Sequence, residues 1–317
     1  MRWGARSVLI LLAAITLLAV PATASAKKKH KKPASPPVTV VTNAQSATTA
    51  NQAITVTASC PSGLLAVGGG FRAPPTFDGS SFNGVYFIYE SRRASVGSWQ
   101  VSAVRQDSGG SFPVTVSVDC RSARLSAKKK PSNKASAAKK KKKRRLTITE
   151  VSATGSAASN TEGSATATCP PNTQALGGGF SSSPTPSLGG SAAFPFFEQS
   201  YRTAPGAWTS AFFNIGTPTR TVTSYAYCAA RLKITDSVGT ATLPGSTSST
   251  IGGATAVSAA CPPRRALLGG GFKLPSAAPG SAFAIINTSQ PVGGTWQVTA
   301  LNDSTSPGTI ESHGYCA

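Results

Sequence analysis

CPSGLLAVGGGF, residues 60–71, returns as CPPNTQALGGGF at 169–180 and as CPPRRALLGGGF at 261–272. In every copy the first glycine stands eight residues after the cysteine. Each copy then carries a tryptophan two residues after a glycine: Trp99 after Gly97, Trp208 after Gly206, Trp296 after Gly294. Each closes on a second cysteine 20 or 21 residues after that tryptophan. Four landmarks in one order, three times over, mark an internal repeat, and a repeat decides the architecture before any local pattern does. The copies start 109 and then 92 residues apart, and the lysine-rich stretch between Ser126 and Arg145 accounts for the difference.

Around these landmarks the chain reads as strands. In VTVSVDC, residues 114–120, Val114, Val116, Val118 and Cys120 fall on one face, and Val222, Ser224, Ala226 and Cys228 repeat that phase more weakly. ITVTASC at 54–60 and ATATC at 165–169 alternate likewise before the first cysteine. WQVSA at 99–103 and WQVTA at 296–300 give a further strand, followed by turn residues such as Asp107, Gly109, Asn302 and Asp303. Leu232–Val238 reads as the opening strand of the third copy, and no long amphipathic helix is visible after the N-terminal segment. Short strands separated by Gly, Pro and Ser turns predict an all-β chain of three tandem small antiparallel sandwich- or barrel-like modules. The expected boundaries are 38–125, 146–231 and 232–317. Because copies two and three abut at Ala229 and Ala230, those two are expected to touch, and the first to swing more freely on its linker.

The ends and the charge place the chain. Arg2 and Arg6 precede an apolar run from Val8 to Val20, and Ala24-Ser25-Ala26 offers small residues at a cleavage site. Residues 1–26 therefore read as an export signal, the run being shorter than the roughly 20 residues of a membrane-spanning helix. An uncleaved anchor is the competing reading; no other segment approaches spanning length. The formal charge of +21 is concentrated: five basic residues lie at 27–32 and thirteen between Arg121 and Arg145. Apart from these and the signal, eleven basic residues face ten acidic ones, so the modules are near neutral and give no basic face for reading nucleic acid. Segments 27–37 and 126–145 cannot bury a core and are expected to be disordered.

Six cysteines in an exported chain point to disulfides. Metal binding is the alternative, but no two cysteines lie within four residues of each other, and His313 near Cys316 has no counterpart. Six cysteines allow about 15 pairings. Repeat symmetry favours one disulfide per copy: Cys60–Cys120, Cys169–Cys228 and Cys261–Cys316. Each would close a loop of some 55 to 60 residues, worth about 4 kcal/mol in the chain-entropy model.

The glycine run invites a phosphate-binding reading. Such a loop leads into a helix, commonly with a following Lys and Ser or Thr, whereas here Phe71, Phe180 and Phe272 follow. A strand with a bulge, or with the tryptophan strand passing close, is the better reading. The tryptophans read as core rather than as ligand platforms. Catalysis has no repeated constellation: histidine occurs only at His30 and His313, and Glu90 and Glu198 are not matched in copy three. No enzyme, cofactor or metal is expected. The basic tract Lys128, Lys129, Lys130, Lys139, Lys140, Lys141, Lys142, Lys143, Arg144 and Arg145 reads either as a self-repelling spacer or as a polyanion-binding segment.

The series Cys-Pro, Gly-Gly-Gly-Phe, Trp and Tyr-Cys-Ala (residues 227–229 and 315–317) resembles repeats of secreted, uncharacterised bacterial proteins. Copy one departs from it with Val118-Asp119-Cys120. The resemblance implies a β-module outside the cell or at its surface, and no activity or ligand. The expected function is a non-catalytic secreted or cell-surface repeat protein. Its basic tracts would associate with anionic envelope polymers or glycans. A passive envelope spacer, or an extracellular polyanion- or nucleic-acid-binding protein, are the alternatives.

Overall fold

The computed structural model describes residues 38–73, 76–77, 82–83, 85–105, 112–123, 145–186, 194–230, 232–247, 251–274 and 284–317. The expected signal, the basic tail and Lys128 to Arg144 lie outside them. Every regular element among the described residues is a strand. Repeat 1 supplies β1 (Thr39–Gln45), β2 (Ala53–Ser59), β3 (Leu64–Arg72), the short pair β4 (Thr76–Phe77) and β5 (Phe82–Asn83), β6 (Tyr86–Ser95), β7 (Ser98–Arg105) and β8 (Val114–Ser122). Repeat 2 supplies β9 (Thr149–Ala157), β10 (Thr161–Thr168), β11 (Thr173–Ser183), β12 (Phe194–Ala204), β13 (Ala207–Ile215) and β14 (Arg220–Ala230). Repeat 3 supplies β15 (Thr235–Leu243), β16 (Gly252–Val257), β17 (Leu267–Lys273), β18 (Ala284–Val292), β19 (Thr295–Asn302) and β20 (Gly308–Cys316).

These strands form three open, six-stranded antiparallel sheets, ordered β1-β8-β3-β18-β19-β16, β2-β7-β6-β11-β14-β9 and β10-β13-β12-β17-β20-β15. None of these three sheets belongs to one repeat; only the short β4–β5 pair stays within repeat 1. Each repeat gives three strands to one sheet and three to another, and its disulfide (Cys60–Cys120, Cys169–Cys228 or Cys261–Cys316) ties those two half-sheets together. The glycine strand of each repeat pairs with a strand of another: β3 with β18, β11 with β6, β17 with β12. The register is the same each time, with Phe71 opposite Ser289, Phe180 opposite Ser91 and Phe272 opposite Ser200. The three repeats thus close a ring with pseudo-threefold symmetry. The expected loose attachment of repeat 1 is corrected here: it is paired to both neighbours. The physical reason is that a three-stranded half-sheet ends on an unpaired edge, and the ring satisfies every inner edge at once. Linker composition carries no information about those edges.

The three glycines of each run have different neighbours. A register shift immediately precedes each run, between Ala66 and Gly68, Ala175 and Gly177, and Leu267 and Gly269. The middle glycines, Gly69, Gly178 and Gly270, lie under Trp99, Trp208 and Trp296, where any Cβ would overlap the indole. The third glycines, Gly70, Gly179 and Gly271, abut the carbonyls of Ser289, Ser91 and Ser200 in the neighbouring repeat. The same serines' hydroxyls accept the indole N–H groups, Trp99 to Ser91 at 3.1 Å, Trp208 to Ser200 at 3.0 Å and Trp296 to Ser289 at 2.9 Å. A buried tryptophan needs such a partner for its N–H. Motif, tryptophan and ring closure are therefore one packing unit.

Candidate functional site

Identical registers place equivalent residues at the three junctions between repeats, so what fills each can be compared position by position. Where repeat 2 meets repeat 1, Tyr227 on β14 is fully buried and its hydroxyl accepts the Arg93 backbone N–H at 2.7 Å. Its ring meets Trp99 edge to face at 5.5 Å between centroids, and the Arg93 guanidinium lies 5.9 Å from the tyrosine ring centre. Where repeat 3 meets repeat 2, Tyr315 on β20 accepts the Arg202 N–H at 2.7 Å and meets Trp208 at 5.4 Å. Arg202 lies 5.4 Å from that ring centre and forms an ion pair with Asp236. Burial drives both tyrosine pKa values upward, so the phenols stay neutral. Opposite Tyr227 and Tyr315 in the register of the outer strands stand Glu150 and Asp236. Each of these junctions thus combines a tyrosine, an arginine and an acid.

At the third junction, where repeat 1 meets repeat 3, all three are exchanged. The tyrosine position holds Asp119, the arginine position holds Pro291, which has no N–H to donate, and the acid position holds Val40. The hairpin tip is shorter as well. In repeats 1 and 2 a register shift (between Arg93 and Ser95, and Arg202 and Ala204) widens the turn before the tryptophan strand. In repeat 3 Val292 pairs directly with Thr295 across Gly293 and Gly294, whose φ values of 57° and 85° suit glycine. Ala66 donates to the carbonyl of Val96 and Ala175 to that of Pro205, docking the tips of repeats 1 and 2. Among the described residues no such bond joins Leu267 to Gly293 or Gly294.

The result is a cavity of about 390 Å³, open to solvent and lined by Val38, Val40, Asp119, Arg265, Leu267 and Pro291 together with the Gly293-Gly294 tip. Asp119 is 1% exposed, and its Oδ2 has no hydrogen-bond partner. Burial alone pushes its pKa up to about 8. Arg265, which also lines the cavity, donates through Nη1 to the carbonyl of Lys233 at 2.9 Å and to the Thr235 hydroxyl at 2.5 Å. Among the described residues it forms no ion pair with Asp119.

The basic tract falls almost wholly outside the described residues; only Arg145 is placed, and it is exposed. His313 occupies the position of Tyr225 at the first junction, stacked on Tyr201 at 4.7 Å and 3.1 Å from Glu311 Oε2. Burial lowers its pKa, and Glu311 opposes the shift. Among the described residues no three His, Cys, Asp or Glu side chains converge as metal ligands. The Asp119 cavity was not anticipated from the sequence, although the departure of copy one at Val118-Asp119-Cys120 was its trace. No protein-family model matches the chain, and no curated protein matches it.

Proposed function

We propose that the protein is a non-catalytic secreted or cell-surface binding protein, held to anionic envelope polymers by its basic tracts. The observation that carries this reading is the separation of charge. Five basic residues at 27–32 and thirteen between Arg121 and Arg145 stand apart from repeats in which acids and bases nearly cancel. Three disulfides are consistent with an extracellular location. Eleven positive residues between Lys128 and Arg145 supply an electrostatic contact that releases counterions and weakens with salt. Ring closure adds a geometric element: the repeats are fixed relative to one another, so they present one rigid body rather than three beads with independent avidity.

The test is retention of the full chain on isolated envelope polysaccharide across a salt series. Retention is expected to fall steeply with salt and to be lost when residues 27–32 and Lys128–Arg145 are both replaced by neutral Gly/Ser segments of equal length. Salt-insensitive retention, or retention that survives the replacement, refutes the tether.

A further inference from the structure

We propose that the cavity between repeats 1 and 3 is a binding site for an organic cation, a guanidinium or amidinium carried on a small apolar or aromatic body, with Asp119 as its counter-ion. This goes beyond the envelope-tethering reading and uses the opposite sign of charge at a different place.

The two filled junctions show what chemistry fits. At each, a guanidinium lies against a tyrosine ring and an acidic residue stands on the neighbouring strand. Arg93 also donates from Nε to the carbonyl of Ser95 at 3.0 Å and from Nη2 to that of Val96 at 2.9 Å, both on its hairpin tip. Arg202 pairs with Asp236 and reaches the carbonyl of Ala175 at 3.4 Å. At the third junction the arginine and the tyrosine are both missing, while a carboxylate remains, moved from the outer strand to Asp119. Backbone acceptors are still at hand, since Leu267 (the counterpart of Ala175) and the Gly293-Gly294 tip line the cavity.

The cavity therefore lacks a planar cation and an apolar slab while keeping a carboxylate and an apolar wall of Val38, Val40, Leu267 and Pro291. A buried carboxylate without partners is costly unless a cation or a hydrogen-bond donor satisfies it. An arriving guanidinium can donate two parallel N–H bonds to one carboxylate, which favours it over a compact ammonium. The volume suits a small ligand rather than a folded partner. Arg265, which lines the same cavity, disfavours a second positive charge, so a monocation is the expected class.

Titration calorimetry of the full secreted chain with benzamidinium chloride tests this, with benzamide as the neutral isostere. Benzamidinium is expected to bind at one site, at least about tenfold more tightly than benzamide. Asp119→Asn is expected to remove that preference, and Asp119→Tyr with Pro291→Arg, which rebuilds the filling of the other junctions, to abolish binding. Thermal melts of both variants establish that they fold. N-acetyl-arginine amide and a glycine-flanked arginine pentapeptide separate the two sources of such a cation. Equal binding of both assigns the site to an arginine side chain of a polypeptide, and binding of the amide alone assigns it to a free small cation. Equal binding of benzamide and benzamidinium, an unchanged preference in Asp119→Asn, or no binding at millimolar ligand overturns the proposal.

Discussion

Two junctions of the ring are plugged and the third is hollow, although all three share the same strand pairing and the same glycine–tryptophan–serine unit. At the plugged junctions Tyr227 and Tyr315 cap an indole and accept a backbone N–H from the neighbouring repeat. At the hollow one Asp119 and Pro291 line the cavity instead. The difference teaches which contacts ring closure needs. Closure rests on the inner unit that all three junctions share, and the outer layer is free to vary because the inner one already holds the repeats together. A position released in this way can carry a group that costs stability, and a buried, unpartnered carboxylate is such a group.

The largest effect should come from unplugging a filled junction. Tyr227→Ala or Tyr315→Ala leaves a large void and strips a hydrogen bond from Arg93 or Arg202, which should cost about 3–5 kcal/mol. Asp119→Ala, at the equivalent position, should cost nothing or stabilise. Denaturant unfolding of the three variants measures this directly, and equal losses at all three positions would break the comparison.

A smaller loss, common to all three junctions, is expected from the shared unit. Alanine at Gly69, Gly178 or Gly270 drives a Cβ into the tryptophan ring above it, for about 1–3 kcal/mol each. If Gly69→Ala were tolerated and the other two were not, the asymmetry would reach into the inner layer, and the hollow junction would be loose throughout rather than hollow only outside.

Next comes the carboxylate itself. Asp119 has its pKa pushed from 3.8 up to about 8, so the folded protein keeps a proton that the unfolded chain releases. Its contribution is full below pH 3.8 and is lost as pH rises towards about 8. Asp119→Asn should therefore match the parent protein below pH 3.8 and exceed it increasingly as pH rises from there towards about 8, levelling off above it. Melting temperatures from about pH 3 to about pH 9, on either side of both values, decide it; parallel curves would place Asp119 in contact with water.

Most of the fold was legible in the sequence and the hollow junction was not. Alternation in residues 114–120 and 54–60 gave strands, and β8 and β2 lie there. The glycine run, read as a bulge or a close passage of the tryptophan strand, has both: the register shift before Gly68 and the indole over Gly69. One disulfide per repeat followed from symmetry, and each bridges the two half-sheets. What periodicity could not show is that β3 and β6 end on bare edges in different sheets. Hydrophobic alternation tells which face of a strand is buried, not which edge is paired, so it cannot distinguish a closed ring from a pair of touching repeats with the first on a loose linker. The meaning of Asp119 was hidden for the same reason. A departure from a repeat becomes a site only when the residue it meets, here Pro291 from more than half the chain away, is known to line the same cavity.

The two filled junctions differ from one another in a way that should show in acid. His313 stands where Tyr225 stands, stacked on the β12 side chain Tyr201 and with Nε2 at 3.1 Å from Oε2 of Glu311. Lys273 on β17 and Asp236 on β15 also face it, the first opposing its charge and the second favouring it. Burial is the largest influence and lowers its pKa, so the folded state holds the neutral ring. The unfolded chain takes up a proton as pH falls through 6.5 before the folded chain does, and stability drops below that point while being fully present above it. His313→Tyr, copying the first junction, should remove that acid-side loss and leave stability at pH 8 unchanged. A variant more acid-sensitive than its parent between about pH 6.5 and 5 would show that Glu311 outweighs burial and that His313 is charged in the ring.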